Sequence, residues 1–197
     1  MEKMAFRAMG SGMLAVFEME GDRALQALAQ VPGWFEDWEA CLSRFRPESE
    51  LNQLNRQAGS WVPVSPVLWD VLAAARRVEW LSDGLVTPAL QGSLEAYGYD
   101  RSFELVAMMN ANLRMTEVHT DWPERKEMGV DLETRSIYLP VGTRLDLGGI
   151  AKGWAADRAL DRLVELGPAL VDAGGDIALS PRSALDACWP VAVTDPH

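Results

Sequence analysis

At 197 residues the chain is long enough for one domain with a substantial core, and its 48% hydrophobic and 24% charged residues are those of a water-soluble globular protein. A net charge of −11 excludes general nucleic-acid binding, so any phosphate site must be local and built from backbone donors. With two histidines and two cysteines, neither a His-based metal site, a Ser–His–Asp triad nor a disulfide framework is supported. No run approaches the ~20 apolar residues of a membrane span. The N-terminus Met1-Glu2-Lys3-Met4-Ala5-Phe6-Arg7 lacks an apolar signal core, which gives a cytoplasmic expectation. The eight tryptophans are expected mostly in the core.

In chain order, Phe6 to Glu20 reads as strand–turn–strand, interrupted at Met9-Gly10-Ser11-Gly12. Taken alone, these glycines read first as a bulge, and otherwise as a place where a ligand lies against backbone. Asp22 is the expected N-cap of a helix carrying Leu25, Leu28 and Ala29. Pro32-Gly33 should end or kink it, and Trp34 to Leu42 follows as a second helical stretch. In Ser43-Arg44-Phe45-Arg46, the ring is either a stacking platform or, more commonly, a buried aromatic between solvated arginines. Ser49 caps a short turn, and Ser65-Pro66 opens a long amphipathic helix. Val67, Leu68, Val71, Leu72, Ala75, Val78 and Leu81 mark its apolar stripe, with Gly84 as the C′ residue.

Leu85 to Leu90 reads as a short extended or turn segment, Gln91 to Tyr99 as a helix closed by Gly98, and residues 101–125 carry a weak pattern. Met128–Leu132 and Ser136–Leu139 form a hairpin around Glu133-Thr134. In Asp146-Leu147-Gly148-Gly149-Ile150-Ala151-Lys152-Gly153 two glycines stand where a turn becomes a helix, whose stripe is Ala151, Ala155 and Ala159. Backbone donors and the helix dipole there attract anions, and Lys152 opposes that dipole, as a cation with an anionic partner would. Asp146 is an acceptor facing the same space. An ordinary glycine turn with a solvated lysine explains the local pattern equally well. Ala169 to Ala173 is a buried strand leading into Gly174-Gly175-Asp176, where a second double glycine points to close backbone approach. Trp189 to Val193 begins one more strand. The mixed order of elements favours an α+β fold in a single domain over 1–197. The long helix should pack on a sheet containing both the 130s hairpin and the Leu170–Leu179 run.

Taken together and in this order, these segments resemble the ApbE family, the FAD:protein FMN transferases. The matching stretches are Met9-Gly10-Ser11, Ser43-Arg44-Phe45 through Ser49-Glu50-Leu51 to Asn55, Ser82-Asp83-Gly84, Asp146 to Gly153 with Asp157, and Ala173-Gly174-Gly175-Asp176. The resemblance implies an α+β fold with a mixed or antiparallel sheet and packed helices, ApbE-like and related to the T-fold. It implies Mg²⁺-dependent cleavage of FAD and transfer of FMN to a Thr or Ser hydroxyl of an acceptor flavoprotein, with homo-oligomerisation left open. Met9, Phe45, Leu85, Val86, Thr87, Asp146, Lys152, Gly174 and Gly175 would belong to the FAD site, and Gly149 would be a metal ligand through its carbonyl. Met9, Phe45, Asp146, Gly148, Gly149, Lys152, Gly174 and Gly175 are expected to converge on one cavity. No catalytic residue is assigned.

Three departures stand out. Leu85-Val86-Thr87 replaces the usual Ala-Phe-Asp after Gly84, Ser11 a usual Thr, and Phe45 a frequent Tyr. The family pattern also continues for roughly another hundred residues, with a His-containing motif and the Asp/Thr motif that holds most of the Mg²⁺. The expectation is therefore a truncated chain, a fragment, or a chain completed by a second polypeptide. The alternative to an enzyme is an FAD-binding module without catalysis.

Overall fold

The computed structural model describes residues 1–99, 127–183 and 188–192. The weak stretch 101–125 lies outside the described residues. The chain divides into two compact units, Met1–Glu36 with Lys152–His197, and Asp37–Ala151.

In the first unit, β1 (Glu2–Ala8) and β2 (Ser11–Phe17) pair antiparallel from Glu2↔Phe17 to Ala8↔Ser11. The turn is Met9-Gly10, with φ of 47° and 71°. Positive φ at both central residues is the I′ pattern, whose twist matches the flanking strands. The bulge expectation is thus corrected: Ser11 and Gly12 lie in the ladder. The strands β6 (Ala169–Ala173) and β7 (Asp176–Leu179) form a second such hairpin, turned by Gly174-Gly175 at φ 71° and 101°. The sheet order is β1-β2-β6-β7. Alternation along β2 buries Met13, Ala15 and Phe17, and β6 is buried almost throughout. The helix α5 (Ala151–Val164), nearly all in this unit, buries Ala151, Ala155 and Ala159, the expected stripe, together with Ala156 and Leu163.

The helix α1 (Asp22–Leu42) is continuous, with Pro32 inside it. Leu28, Val31, Phe35, Trp38 and Leu42 are buried at alternating spacings of three and four, so one apolar face runs through the proline. That burial offsets the lost backbone bond, and the expected break does not occur. Asp22 is the first helical residue, and Gly21 accepts from the Leu25 N–H at 3.1 Å.

The second unit holds α2 (Glu50–Arg56), β3 (Trp61–Pro63), α3 (Pro66–Leu81), α4 (Gln91–Ala96), β4 (Gly129–Asp131) and β5 (Ser136–Tyr138). Its sheet runs β3-β5-β4, antiparallel throughout. The 130s hairpin and the Leu170–Leu179 run therefore belong to different sheets, contrary to expectation. Ser49 and Ser65 cap α2 and α3, accepting from the Asn52 and Leu68 N–H groups at 3.1 and 3.2 Å. Leu68, Val71, Leu72 and Ala75 are buried, whereas Leu81 is exposed. The C′ residue of α3 is Asp83 rather than Gly84. It has φ 51° and bonds to Trp80 O, while Gly84 N–H reaches Glu79 O at 2.8 Å, a Schellman pair.

Two further expectations change. Among the described tryptophans only Trp38 is buried, and Trp61 and Trp80 are exposed. Residues 188–192 are irregular rather than a strand, held where Trp189 Nε1 donates to Ser180 O at 2.6 Å. No helix among the described residues is long and apolar enough to cross a membrane.

Candidate functional site

In the second unit the turn before α5 is fixed by alternation. Leu145 and Leu147 are buried, and Asp146 between them directs its carboxylate the other way. Asp146 Oδ1 accepts from the Gly148 N–H at 2.7 Å, and its own N–H donates to Pro88 O at 2.8 Å. The Ile150 and Ala151 N–H groups both point to Leu147 O, at 3.0 and 2.8 Å. Neither Gly148 nor Gly149 has a positive φ, so backbone conformation does not demand glycine here. Space does at Gly148, where a Cβ would stand 3.0 Å from Asp146 Oδ1. At Gly149 a Cβ would meet nothing within 4 Å, and its backbone is exposed.

The other oxygen of Asp146 faces Arg44. Arg44 Nε lies 2.5 Å from Oδ2, with the two side chains only 4% and 12% exposed. The contact is Coulombic rather than a hydrogen bond, since the buried Nε–H has no aligned acceptor. Arg44 Nη2 donates to Tyr99 O at 2.7 Å, and the guanidinium lies over the rings of Phe45 and Tyr99. Phe45 itself is 41% exposed. The commoner arrangement is inverted: the Arg44 side chain is buried and the aromatic is exposed.

Leu85, Val86 and Thr87 approach the same turn through Pro88, whose carbonyl takes the Asp146 N–H. Leu85 and Val86 are exposed, and Thr87 Oγ1 accepts from Ala89 N–H at 3.3 Å. The second unit therefore brings together Phe45, Asp146 and Gly148, with Pro88, the residue after Thr87, bonded to the Asp146 N–H. Sequence reasoning missed Arg44, Tyr99 and the Asn55–Gln91 pair behind Leu145. Arg44 and Asn55 stood inside the matched motif, but nothing local showed what they would touch.

In the first unit, the register Met13↔Ala173 puts the Met9-Gly10 and Gly174-Gly175 turns at one end of the sheet. A Cβ on Gly174 would lie 2.8 Å from Ser11 Cβ and 3.7 Å from Lys152 Cδ. The close approach expected of the double glycine is real, and what approaches is protein. Gly175 N–H donates to Asp172 Oδ1 at 2.7 Å. Met9, Lys152, Gly174 and Gly175 are thus gathered at that end.

The ApbE family profile matches residues 9–197. The chain belongs to the ApbE family. The FAD:protein FMN transferase of Treponema pallidum (strain Nichols) is 34% identical over 188 residues, covering 87% of this chain and 51% of that protein. The one of Klebsiella pneumoniae (strain 342) is 27% identical over 176 residues, covering 86% and 52%. The chain spans about half the length of these relatives. The apo flavinyl transferase ApbE of Pseudomonas stutzeri superposes with a TM-score of 0.76 at 22% identity, over 98% of this chain and 62% of that one. The ApbE protein of Thermotoga maritima gives 0.73 at 21%, over 90% and 58%. These likenesses establish the ApbE-like α+β fold, with antiparallel sheets and packed helices.

Mg²⁺, implied by the ApbE resemblance, does not fit the described residues as a protein-held ion. No group of three or more His, Cys, Asp or Glu among them is arranged to hold a metal. Asp146 is committed to Arg44 and Gly148, and Gly149 offers only a carbonyl.

Proposed function

We propose that the chain binds FAD and serves FMN transfer to a Thr or Ser hydroxyl of an acceptor protein. In that reaction the hydroxyl oxygen bonds to the FMN-side phosphorus, the pyrophosphate P–O bond breaks, AMP leaves and the hydroxyl proton is released. The observation supporting this reading is the junction of Phe45 with the Asp146–Gly149 turn through Arg44. An aromatic face suits a flavin ring, and an exposed glycine backbone admits a phosphate closely. Curated relatives that bear the transferase name support the reaction class.

The test is titration of the chain with FAD, followed by flavin fluorescence and competed with ADP. Quenching that saturates and is reversed by ADP is expected, and its absence overturns the proposal. A second reading, an FAD-binding module without catalysis, is favoured by the absence of a carboxylate cluster among the described residues. Mass spectrometry of an acceptor peptide after incubation with FAD and Mg²⁺ separates the two.

A further inference from the structure

Arg44 is the point where three segments of the second unit meet. Its Cζ stands 4.2 Å from the centre of the Phe45 ring and 4.5 Å from that of Tyr99. The two rings meet edge-on at 5.9 Å and 62°. From the same side chain Nη2 holds the Tyr99 carbonyl and Nε faces Asp146. The loop is braced from below by Asn52, whose Nδ2 donates to the carbonyls of Arg44 and Arg46 at 2.8 and 2.9 Å. An arginine whose side chain is 4% exposed is no ordinary surface cation. Burying it is costly unless its charge is met, and here the Asp146 carboxylate meets it.

We infer that Arg44 is a positioning residue that locks the Phe45 ring to the Asp146–Gly149 turn and thereby sets selectivity for a flavin dinucleotide over an adenine nucleotide. This rests on the flavin-binding reading above. A ligand that uses only the glycine turn needs one fixed element. A ligand that also stacks on Phe45 needs ring and turn at one spacing, and Arg44 is the group that touches both. Pre-organising that spacing removes an ordering cost only for the ligand that spans it. Lysine cannot substitute, because an ammonium is not a planar group that lies against two rings while donating sideways to a carbonyl.

The experiment compares the full 197-residue chain with Arg44→Ala, Arg44→Lys and Tyr99→Leu. Melting temperature, FAD affinity with the extent of flavin quenching, and ADP affinity by calorimetry are measured for each. Arg44→Ala and Arg44→Lys are expected to weaken FAD by about tenfold or more and to reduce quenching. ADP affinity should change by less than about threefold. Tyr99→Leu keeps the carbonyl acceptor and removes one ring from the guanidinium, so it should shift FAD in the same direction by less. It tests the proposal even if the Arg44 variants do not fold. Equal loss of FAD and ADP, or folded variants with wild-type FAD affinity and quenching, would overturn the positioning role. Failure of the wild-type chain to bind FAD would instead overturn the flavin reading, and it shows before any substitution is made.

Discussion

Asn55 serves Leu145 as a neighbouring strand would: its Nδ2 donates to the Leu145 carbonyl at 2.9 Å and its Oδ1 accepts from the Leu145 N–H at 2.8 Å. One side chain thus supplies both backbone partners to the residue before Asp146. Asn55 is 8% exposed and also donates to Gln91 Oε1 at 2.9 Å. Gln91 in turn donates to Glu95, which holds Arg144 through two bonds of 3.1 and 2.6 Å. Burial pushes the Glu95 carboxyl up, but the donors Gln91 and Arg144 outweigh it and hold it below its ordinary value.

Asn55→Ala leaves two buried backbone groups without partners, at about 1–3 kcal/mol each. The expected loss is about 2–5 kcal/mol of unfolding free energy, measured by urea unfolding, since the two costs overlap. Asn55→Asp keeps the acceptor, loses both donations and buries a charge. It should be severely destabilised at neutral pH and partly recover on acidification, when the protonated carboxyl can donate again. A loss under about 0.5 kcal/mol for Asn55→Ala would mean that water replaces the amide without cost.

Gly174→Ala should be destabilising for two separable reasons. At φ +71° a Cβ costs roughly 1–2 kcal/mol of backbone strain. The same Cβ would stand 2.8 Å from Ser11 Cβ, so the hairpin turn must shift. Ser11→Gly removes the second cost and not the first. A double-mutant cycle should therefore show about 1 kcal/mol of favourable coupling between the two changes. No coupling would indicate that the turn relaxes freely away from β2.

What was legible in the sequence is what local chemistry decides. Ser49 and Ser65-Pro66 announce their helices because a cap needs only the next three residues. Both two-residue hairpins lay around visible glycines. The continuity of α1 was not legible, because the face from Leu28 to Leu42 outweighs Pro32 only once it is buried. Nor was the split into two sheets, since the β2–β6 ladder pairs Met13 with Ala173 across most of the chain. At the site, the Gly148-Gly149 turn could be read, whereas the burial of Arg44 could not. Its partners Tyr99 and Asp146 are remote in sequence, and the burial of a charged side chain depends on them.

Cys41 should behave as an inert thiol. Its Sγ donates to Glu50 Oε2 at 3.1 Å, and that carboxylate is anchored by both the N–H and the hydroxyl of Ser65. Burial, reinforced by the Glu50 charge, pushes the thiol up to about 12 from 9.0. At pH 8 alkylation of Cys41 should run about a thousandfold slower than that of an ordinary thiol, with the exposed Cys188 modified first. The folded-state value is raised, so the neutral thiol's contribution is complete below about 9 and is lost as pH rises from about 9 to about 12. Cys41→Ala should flatten that alkaline limb of the stability curve. Rapid labelling of Cys41 in the folded chain would contradict the burial argument.

Mg²⁺ should add little to FAD binding or turnover by this chain. The ion needs near-octahedral oxygen coordination, and proteins hold it by one or two carboxylates together with substrate phosphates and water. Within the 146–149 turn the side-chain carboxylate, that of Asp146, is already paired, with Arg44 on Oδ2 and Gly148 N–H on Oδ1. Freeing Asp146 for a cation would leave the Arg44 guanidinium buried without its counter-charge, at about 3–5 kcal/mol for a broken buried pair. The Gly149 carbonyl alone is a weak competitor for that cost. Any ion delivered with FAD is therefore held mainly by the pyrophosphate, and replacing Mg²⁺ by EDTA should change FAD affinity by less than about threefold. FMN transfer by the chain alone should then be negligible, because a loosely held cation gives up several kcal/mol of stabilisation to the charge on the transferred phosphoryl group. The measurement is the flavinylated mass of an acceptor peptide, with Mg²⁺ varied in parallel with FAD binding. Ordinary turnover with a steep Mg²⁺ dependence would require a carboxylate that this turn does not supply.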